Sequence, residues 1–177
     1  MSEADRRRWD ARHALADDVV PLPPDALRGR EELVPTAGRA LDVACGRGAV
    51  TLWLAERGLI VDAVDLSAVG LDAGSQRAAD VPVRWWCHDL DAGLPAGCAG
   101  PYDLVAVQRF RDPALYPALA AVLAPGGLLV ITVLSEVDEG PGSWRAAPGE
   151  LRAAFAELDV LVHTEANGEA SLVGRLR

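Results

Sequence analysis

The residues of this chain best suited to chemistry are a glycine pair and three aspartates that lie in or after short apolar runs. Gly46 and Gly48 follow the run that contains Asp42, and glycines there let the chain turn tightly and let a ligand approach the backbone. Asp65 ends the next apolar run, 19 residues after Gly46, where a carboxylate can accept both hydroxyl groups of a ribose. Asp89 follows a third run. This spacing predicts a nucleoside-binding site.

Two kinds of nucleoside ligand compete for this pattern. A dinucleotide-binding loop reads Gly-x-Gly-x-x-Gly, and here Thr51 stands in the place of the third glycine, so that fingerprint is incomplete. The three aspartates make the ends of the predicted strands acidic, which disfavours a pyrophosphate and favours a cation such as a sulfonium. The sequence therefore favours a positively charged nucleoside over a dinucleotide.

Composition excludes several other functions. All 17 basic residues of the 177-residue chain are arginines, and without lysine a Walker-type phosphate loop, a Schiff base and pyridoxal-phosphate chemistry are excluded. The net charge of −9 would repel a nucleic acid. Three cysteines without Cys-x-x-Cys spacing indicate neither a disulfide framework nor a zinc site, so no metal is expected. With no membrane-spanning apolar run and no signal peptide, a cytoplasmic protein is expected.

Short apolar runs that alternate with helix-like stretches must position the candidate residues. This alternation predicts an α/β fold with a parallel sheet between two layers of helices, and such sheets bind ligands at the carboxyl ends of their strands. The Pro-Gly-Gly segment 125–127 is expected to form a turn before the fifth strand. Strands are predicted over 40–44, 59–64, 83–87, 102–107, 128–134, 160–164 and 171–176, and helices over 49–57, 67–79, up to 124 and over 150–158.

A single domain is expected, because the length suffices for one core and is cramped for two. Residues 1–38 are predicted to form an N-terminal helical cap, interrupted at Pro21–Pro24, and residues 39–177 to form the ligand-binding domain. The glycine- and proline-rich segment 135–149 and the first 20 residues are expected to form lids over the site.

In order along the chain, five motifs resemble those of class I S-adenosylmethionine-dependent methyltransferases. They are LDVACGRGAVTLWLAERG, VDAVDLS, CHDLD, YDLVAV and LAPGGLLVITV, and the resemblance covers the chain from Arg39 onward. It implies a Rossmann-like three-layer sandwich with a mostly parallel seven-stranded sheet and an antiparallel last strand beside the fifth. The LDVACGRG loop, DLSAVGL and the N-terminal WDAR segment further resemble small bacterial enzymes of the tellurite-resistance and thiopurine-methyltransferase-like group.

The resemblance also implies contacts to S-adenosyl-L-methionine. Asp42 would anchor the loop and help to hold the amino group, Asp65 would take the ribose hydroxyls and Asp89 would accept from the adenine amino group. One departure is Ala44, where glycine is common and where a methyl group should be tolerated only at negative φ. The implied cofactor-binding residues are Asp42, Ala44, Gly46, Gly48, Asp65, Leu66, Asp89, Leu90 and Gln108, with Arg12 as a ligand of the cofactor carboxylate.

The acceptor is expected to be a small molecule. Residues expected to flank the methyl-transfer space are Gln108 after the fourth strand, and Trp9, His13 and Trp144 from the lid segments; no catalytic residue is assigned. The Asn/Asp-Pro-Pro-aromatic signature of enzymes that methylate DNA bases or glutamine is absent after YDLVAV. A thiolate acceptor needs no general base, whereas a phenol or an amine would benefit from one, for which His13 is a candidate.

The sequence thus predicts methyl transfer from S-adenosyl-L-methionine to a small-molecule acceptor by in-line displacement. A nicotinamide-dependent oxidoreductase and a non-catalytic S-adenosylmethionine-binding module remain as alternatives. The expected partner is the small-molecule acceptor, with no nucleic acid and no membrane, and the chain is expected to be a monomer or a weak homodimer.

Overall fold

A mixed β-sheet forms the centre of the computed structural model, which describes residues 3–15, 18–78 and 80–177. The strands are β1 (Gly38–Val43), β2 (Leu59–Asp65), β3 (Val83–Cys87), β4 (Tyr102–Gln108), β5 (Leu123–Leu134), β6 (Asp159–Ala166) and β7 (Glu169–Arg175). They lie in the order β3-β2-β1-β4-β5-β7-β6. The first five pair in parallel, whereas β7 is antiparallel to both β5 and β6.

This topology confirms the predicted fold class, including the antiparallel strand inserted beside β5. The strand order reverses between β1 and β4, so the carboxyl ends of these two strands flank the switch point of the sheet. Ligands of open α/β sheets bind at this point, because the connections on either side leave to opposite faces and open a crevice.

Helices cover the sheet on both faces. They are α1 (Glu3–Ala14), α2 (Ala49–Glu56), α3 (Ala68–Arg77), α4 (Tyr116–Ala121) and α5 (Glu150–Ala154). Ser67 is the N-cap of α3, and its Oγ accepts a hydrogen bond from the Gly70 N–H at 3.1 Å. Pro117 lies in the first turn of α4, where its missing N–H costs no helical hydrogen bond. The predicted end of α3, Ala79, lies outside the described residues.

The central strands are mostly apolar, as expected for a sheet that is buried on both faces. Side chains of β1 alternate between the two layers: Leu41 and Val43 pack into one hydrophobic cluster and Ala40 into the other. Phe155 and Tyr116 belong to the first cluster, with their ring centroids 5.1 Å apart. The sheet is therefore held from both sides, and its strand ends are fixed positions for a site.

The fifth strand begins earlier than predicted. β5 starts at Leu123, and the Pro-Gly-Gly segment 125–127 lies within it instead of forming a separate turn. The pairing with β4 shifts register between Tyr102 and Leu104, as in a β-bulge. A proline without an N–H and Gly126 at φ 78° interrupt the ladder, but pairing on both sides of them carries the strand through.

The segment before β1 is partly helical. Its described part holds α1 and two single-turn 3-10 helices, Asp25–Leu27 and Glu31–Leu33. The side chain of Leu27 is fully buried and ties this segment to the core. The division into a cap and a domain stays a prediction. None of the helices in the described ranges has both the length and the hydrophobicity of a membrane span.

A cluster of charged and polar side chains surrounds Asp62 of β2. The side chain of Asp62 is fully buried. Its Oδ1 accepts a hydrogen bond from Trp86 Nε1 at 3.0 Å, and its Oδ2 accepts one from the Tyr102 hydroxyl at 2.8 Å. The guanidinium groups of Arg39 and Arg84 donate to the same Oδ2 at 3.1 and 2.7 Å. Burial alone would raise the pKa of Asp62, but these hydrogen bonds, led by that of Trp86, lower it.

Candidate functional site

A cavity of about 250 Å³ opens at the carboxyl ends of β1, β2 and β4. Its walls are the glycine loop after β1, the tip of β2, the residues that end and follow β4, and α1, which lies across the opening. Most of the predicted site residues meet here. The lining consists of Trp9, Arg12, His13, Ala44, Gly46, Asp65, Leu66, Leu90, Gln108, Arg109 and Phe110.

The glycine loop turns through left-handed backbone conformations, with φ of 55° at Ala44 and 57° at Gly46. The expectation of a negative φ at Ala44 is therefore wrong. A left-handed conformation costs a non-glycine residue about 1–2 kcal/mol. Backbone hydrogen bonds on the next residues hold the turn: Cys45 N donates to Val64 O at 3.0 Å, and Gly46 N donates to Asp65 Oδ2 at 2.8 Å.

Asp65 lies at the tip of β2 with 9 % of its surface exposed. Its two oxygens hold the backbone on both sides of the strand end: Oδ2 accepts from Gly46 N and Oδ1 from Ser67 N, both at 2.8 Å. Each carboxylate oxygen has a second lone pair. The group can therefore hold the loop and still accept hydrogen bonds from a diol in the cavity.

Two glycines of α3 let this helix press against the loop. A Cβ atom at Gly70 would lie 2.8 Å from the Gly46 carbonyl oxygen, and one at Gly74 would lie 2.8 Å from the Arg47 carbonyl oxygen. In the sequence both glycines only lower the helix propensity of the segment. Their four-residue spacing, which puts them on one helix face, is the signal that could have shown their role.

Helix α1 crosses the cavity although none of its residues is fully buried. Asp10 accepts a hydrogen bond from Ser67 Oγ at 2.5 Å, which fastens α1 to the start of α3. The Trp9 and His13 rings stack with centroids 5.9 Å apart, and the Arg12 guanidinium lies 5.3 Å from the Trp9 ring centroid. Polar and aromatic contacts, rather than a buried apolar face, therefore hold α1 over the site.

His13 reaches down to the glycine loop. Its Cε1 lies 3.1 Å from the place where a Cβ atom of residue 46 would stand, so the ring would have to shift by a few tenths of an ångström to accept a side chain there. Burial lowers the pKa of His13 below its usual value, and the charge of Asp65 only partly offsets this. This shift favours the uncharged imidazole at neutral pH.

The end of β4 supplies three consecutive lining residues, Gln108, Arg109 and Phe110. The Gln108 side chain is held by Asp25: its Nε2 donates to Asp25 Oδ2, and its Oε1 accepts from the Asp25 N–H at 3.3 Å. Asp25 was not among the predicted site residues. It is 83 residues from Gln108 and belongs to no motif, so nothing in the sequence singled it out.

Asp42 does not reach the cavity. It is 1 % exposed and lies behind the loop, where its Oδ2 accepts a hydrogen bond from the Thr51 hydroxyl at 2.6 Å. This contact anchors the first turn of α2. Burial raises the pKa of Asp42 to about 7, against the lowering effect of the Thr51 hydrogen bond and with a further increase from the charge of Asp65.

Three more of the predicted site residues lie outside the lining. Gly48, at φ 79°, is a packing position, because a Cβ atom there would lie 2.5 Å from the Trp85 ring. Asp89 caps the 3-10 helix Leu90–Ala92 and accepts from the Asp91 N–H at 3.0 Å, next to the lining residue Leu90. Trp144 is 70 % exposed on the loop after β5, and the structure does not bring it to the cavity.

The residues present fit S-adenosylmethionine. The Asp65 carboxylate has free lone pairs for a ribose diol, and Gly46, whose N–H donates to Asp65, lies beside it in the cavity lining. Leu66 and Leu90 add apolar wall for a base. Asp65 in the lining, with Asp42 behind it, favours a sulfonium and disfavours a pyrophosphate.

Sheet order, loop and strand-end carboxylate together define a nucleoside-binding α/β protein. A family model described as a methyltransferase domain matches residues 40–127. The ubiquinone biosynthesis O-methyltransferase of Caulobacter sp. (strain K31) is 30 % identical in an alignment of 151 positions that covers 71 % of this chain; the chain spans 60 % of the length of that relative. The chain belongs to the methyltransferase family that this model describes.

Solved structures share the fold. TehB from Haemophilus influenzae superposes with a TM-score of 0.73 at 19 % identity, over 86 % of this chain and 62 % of TehB. An S-adenosylmethionine-dependent methyltransferase from Mesorhizobium loti gives a TM-score of 0.70 at 18 % identity, over 85 % of this chain and 95 % of that one. At such identities the likeness shows the fold, and it confirms the predicted Rossmann-like architecture.

Proposed function

We propose that this protein transfers a methyl group from S-adenosyl-L-methionine to a small-molecule acceptor by in-line displacement. The observation that carries the proposal is that the loop at Gly46, the carboxylate of Asp65 and the end of β4 at Gln108 line one cavity. A nucleoside gripped by Asp65 would extend over the loop towards β4. The O-methyltransferase name of the Caulobacter relative supports a small acceptor that is methylated on oxygen.

In this proposal the cofactor lies along the tips of β1 and β2. Asp65 accepts from the ribose hydroxyls, the backbone at Ala44 and Gly46 lines the methionine part, and Arg12 binds its carboxylate. Asp42 acts from behind the loop, where its position supports the turn and its partial charge favours a cation. The adenine side consists of Leu66, Asp89 and Leu90, and Gly48 keeps the loop close to Trp85.

The chain has one main task in such a reaction. When bound, the sulfonium supplies its own leaving group, so the protein must hold the acceptor atom in line, about 3–3.5 Å from the methyl carbon. The lowered pKa of His13 favours its uncharged form, which is suited to accept a proton from a phenol or an amine. The residues that surround this space are Trp9, His13, Gln108, Arg109 and Phe110.

The cellular compartment, the division into cap and domain, and the oligomeric state belong to the same proposal. The cysteines Cys45, Cys87 and Cys98 are unpaired, which fits a reducing compartment such as the cytoplasm. Residues 1–38 would act as a cap over the domain 39–177, and the net charge of −9 makes a nucleic-acid acceptor unfavourable. The monomeric or weakly dimeric state stays a prediction that a sedimentation experiment can test.

We expect S-adenosylhomocysteine to bind and NAD not to bind, because the acidic strand ends oppose a pyrophosphate. Isothermal titration calorimetry of each ligand with the same protein preparation measures the two affinities. NAD binding without S-adenosylhomocysteine binding would refute the proposal. A screen of thiols, phenols, amines and chalcogen oxyanions for release of the demethylated cofactor would then separate an enzyme from a non-catalytic binding module.

The variant Asp65→Ala should bind S-adenosylhomocysteine about 10–100-fold more weakly, because hydrogen bonds to a carboxylate contribute roughly 1.5–3 kcal/mol. The same titration measures the change in Kd. Asp72→Ala is the matched control, since this exposed aspartate of α3 lies outside the cavity lining. An unchanged Kd for Asp65→Ala would remove Asp65 from the cofactor site.

A further inference from the structure

The part of the cavity that the cofactor does not occupy has a single charged side chain. Once the residues assigned to the cofactor are set aside, Gln108 remains with both polar atoms engaged by Asp25, and His13 remains with a lowered pKa, which favours its uncharged form at neutral pH. Trp9 and Phe110 contribute rings. Arg109 is then the only formal charge on the acceptor side of the described lining, and it is positive.

Arg109 is positioned from several elements at once. Its backbone has a φ of 57°, a left-handed conformation that non-glycine residues rarely adopt, and its N–H donates to Thr132 O on β5 at 2.7 Å. Its Nη2 lies 3.1 Å from Glu169 Oε1 on β7 and 3.7 Å from Asp25 Oδ2. Backbone strain of this kind clusters at functional sites, where the surrounding structure holds a side chain in a required place.

These ion pairs orient the guanidinium and leave some of its hydrogen-bond donors free. Asp25 Oδ1 pairs with Arg28 at 2.8 Å, so Arg28 and Arg109 together balance the charges of Asp25 and Glu169. Both contacts of Arg109 use Nη2, and in the described part of the chain neither Nε nor Nη1 donates a hydrogen bond. The side chain is 62 % exposed, so donors remain available to a ligand.

We infer that Arg109 selects an acceptor that carries a carboxylate, with the body of the acceptor beside Phe110 and Trp9. A guanidinium is the side chain best suited to hold a carboxylate. The other arginine of the described lining, Arg12, is assigned to the cofactor carboxylate, so Arg109 is the positive group left there for the acceptor. The inference rests on the proposed function, because it requires the cofactor to fill the other half of the cavity.

The carboxylate anchors the acceptor and is not the group that reacts. A separate thiol, hydroxyl or amino group forms the new bond to the methyl carbon while the carbon–sulfur bond of the sulfonium breaks, and its electron pair stays on sulfur. The proton of the acceptor group leaves to solvent or to His13. The positive charge of the sulfonium is thus lost as the product forms, with no other reactant needed.

The test compares hydroxybenzoates and mercaptobenzoates with the carboxamides of the same rings. Their binding to protein saturated with S-adenosylhomocysteine is measured by calorimetry for the wild type, Arg109→Gln and Arg109→Lys. We expect the carboxylates to bind at least 10-fold more tightly than the carboxamides to the wild type. Arg109→Gln should abolish this preference, Arg109→Lys should keep part of it, and both should bind S-adenosylhomocysteine within about twofold of the wild type.

Arg152→Gln is the matched control, because this exposed arginine of α5 lies outside the cavity lining. It should leave the preference unchanged. Failure of the wild type to bind S-adenosylhomocysteine would refute the proposed function itself. Binding of S-adenosylhomocysteine without a preference for carboxylates, or a preference that survives in Arg109→Gln, would overturn the inference and leave the cofactor assignment intact.

Discussion

Asp62→Ala is expected to lower the free energy of unfolding by about 3–5 kcal/mol at pH 7. The substitution leaves the buried Tyr102 hydroxyl and the Trp86 N–H without an acceptor, and each unsatisfied group costs about 1–3 kcal/mol. It also leaves Arg39 and Arg84 without their shared carboxylate. Domains of this size are commonly stable by only about 5–15 kcal/mol, so the loss is a large fraction of the total.

Urea unfolding followed by circular dichroism measures this loss. Asp62→Asn should lose less, because an amide oxygen can still accept from Tyr102 or Trp86. The exposed Asp72→Ala should change stability by less than about 0.5 kcal/mol. Since the hydrogen bonds hold the pKa of Asp62 below its usual value, its contribution is present above the unfolded-state pKa and declines as the pH falls. A loss below about 1 kcal/mol at pH 7 would contradict the structural role of the cluster.

Asp42 should affect stability with the opposite dependence on pH. Burial raises the pKa of its carboxyl to about 7 in the folded protein, while the unfolded chain has the ordinary value near 4. Between these two values the folded state binds a proton that the unfolded state has released. Stability therefore falls as the pH rises through this window, by about 2–3 kcal/mol between pH 5 and pH 8.

The variant Asp42→Asn isolates this contribution. Its amide oxygen can still accept from the Thr51 hydroxyl, and any constant cost of the new amide group cancels when two pH values are compared. The wild type should lose about 2–3 kcal/mol more stability than the variant between pH 5 and pH 8. Urea unfolding at both pH values gives the difference. Parallel pH profiles for the two proteins would show that Asp42 is ionised in the fold at both values.

These two aspartates show that the local sequence does not predict the charge state of a buried carboxylate. Asp62 and Asp42 both lie in mostly apolar strands, and both are buried. Asp62 meets four donors from three other strands, which keeps it ionised, whereas Asp42 has Thr51 as its side-chain partner and Asp65 as a neighbour of like charge. The difference lies in partners that are distant along the chain, so the local pattern does not reveal it.

The sequence predicted those site residues that lie directly at the end of a predicted strand. The glycine loop, Asp65, Leu66 and Gln108 each lie directly at a strand end, and in a parallel sheet all such ends meet at one edge, so their convergence follows from the alternation of strands and helices. Trp144 follows β5 in the same way but stands on a long loop. Nothing in its sequence fixes the path of that loop, and the tryptophan lies exposed instead of in the cavity.

By itself, the sequence determined the fold class, the motif order and the strand ends, because apolar periodicity and turn residues act over a few neighbouring positions. Only the tertiary structure decided that Asp25 holds Gln108 and that Ala44 and Arg109 adopt left-handed conformations. Each of these depends on atoms from segments far apart in the chain. Their close approach is set by the packing of the whole fold, which no local pattern encodes.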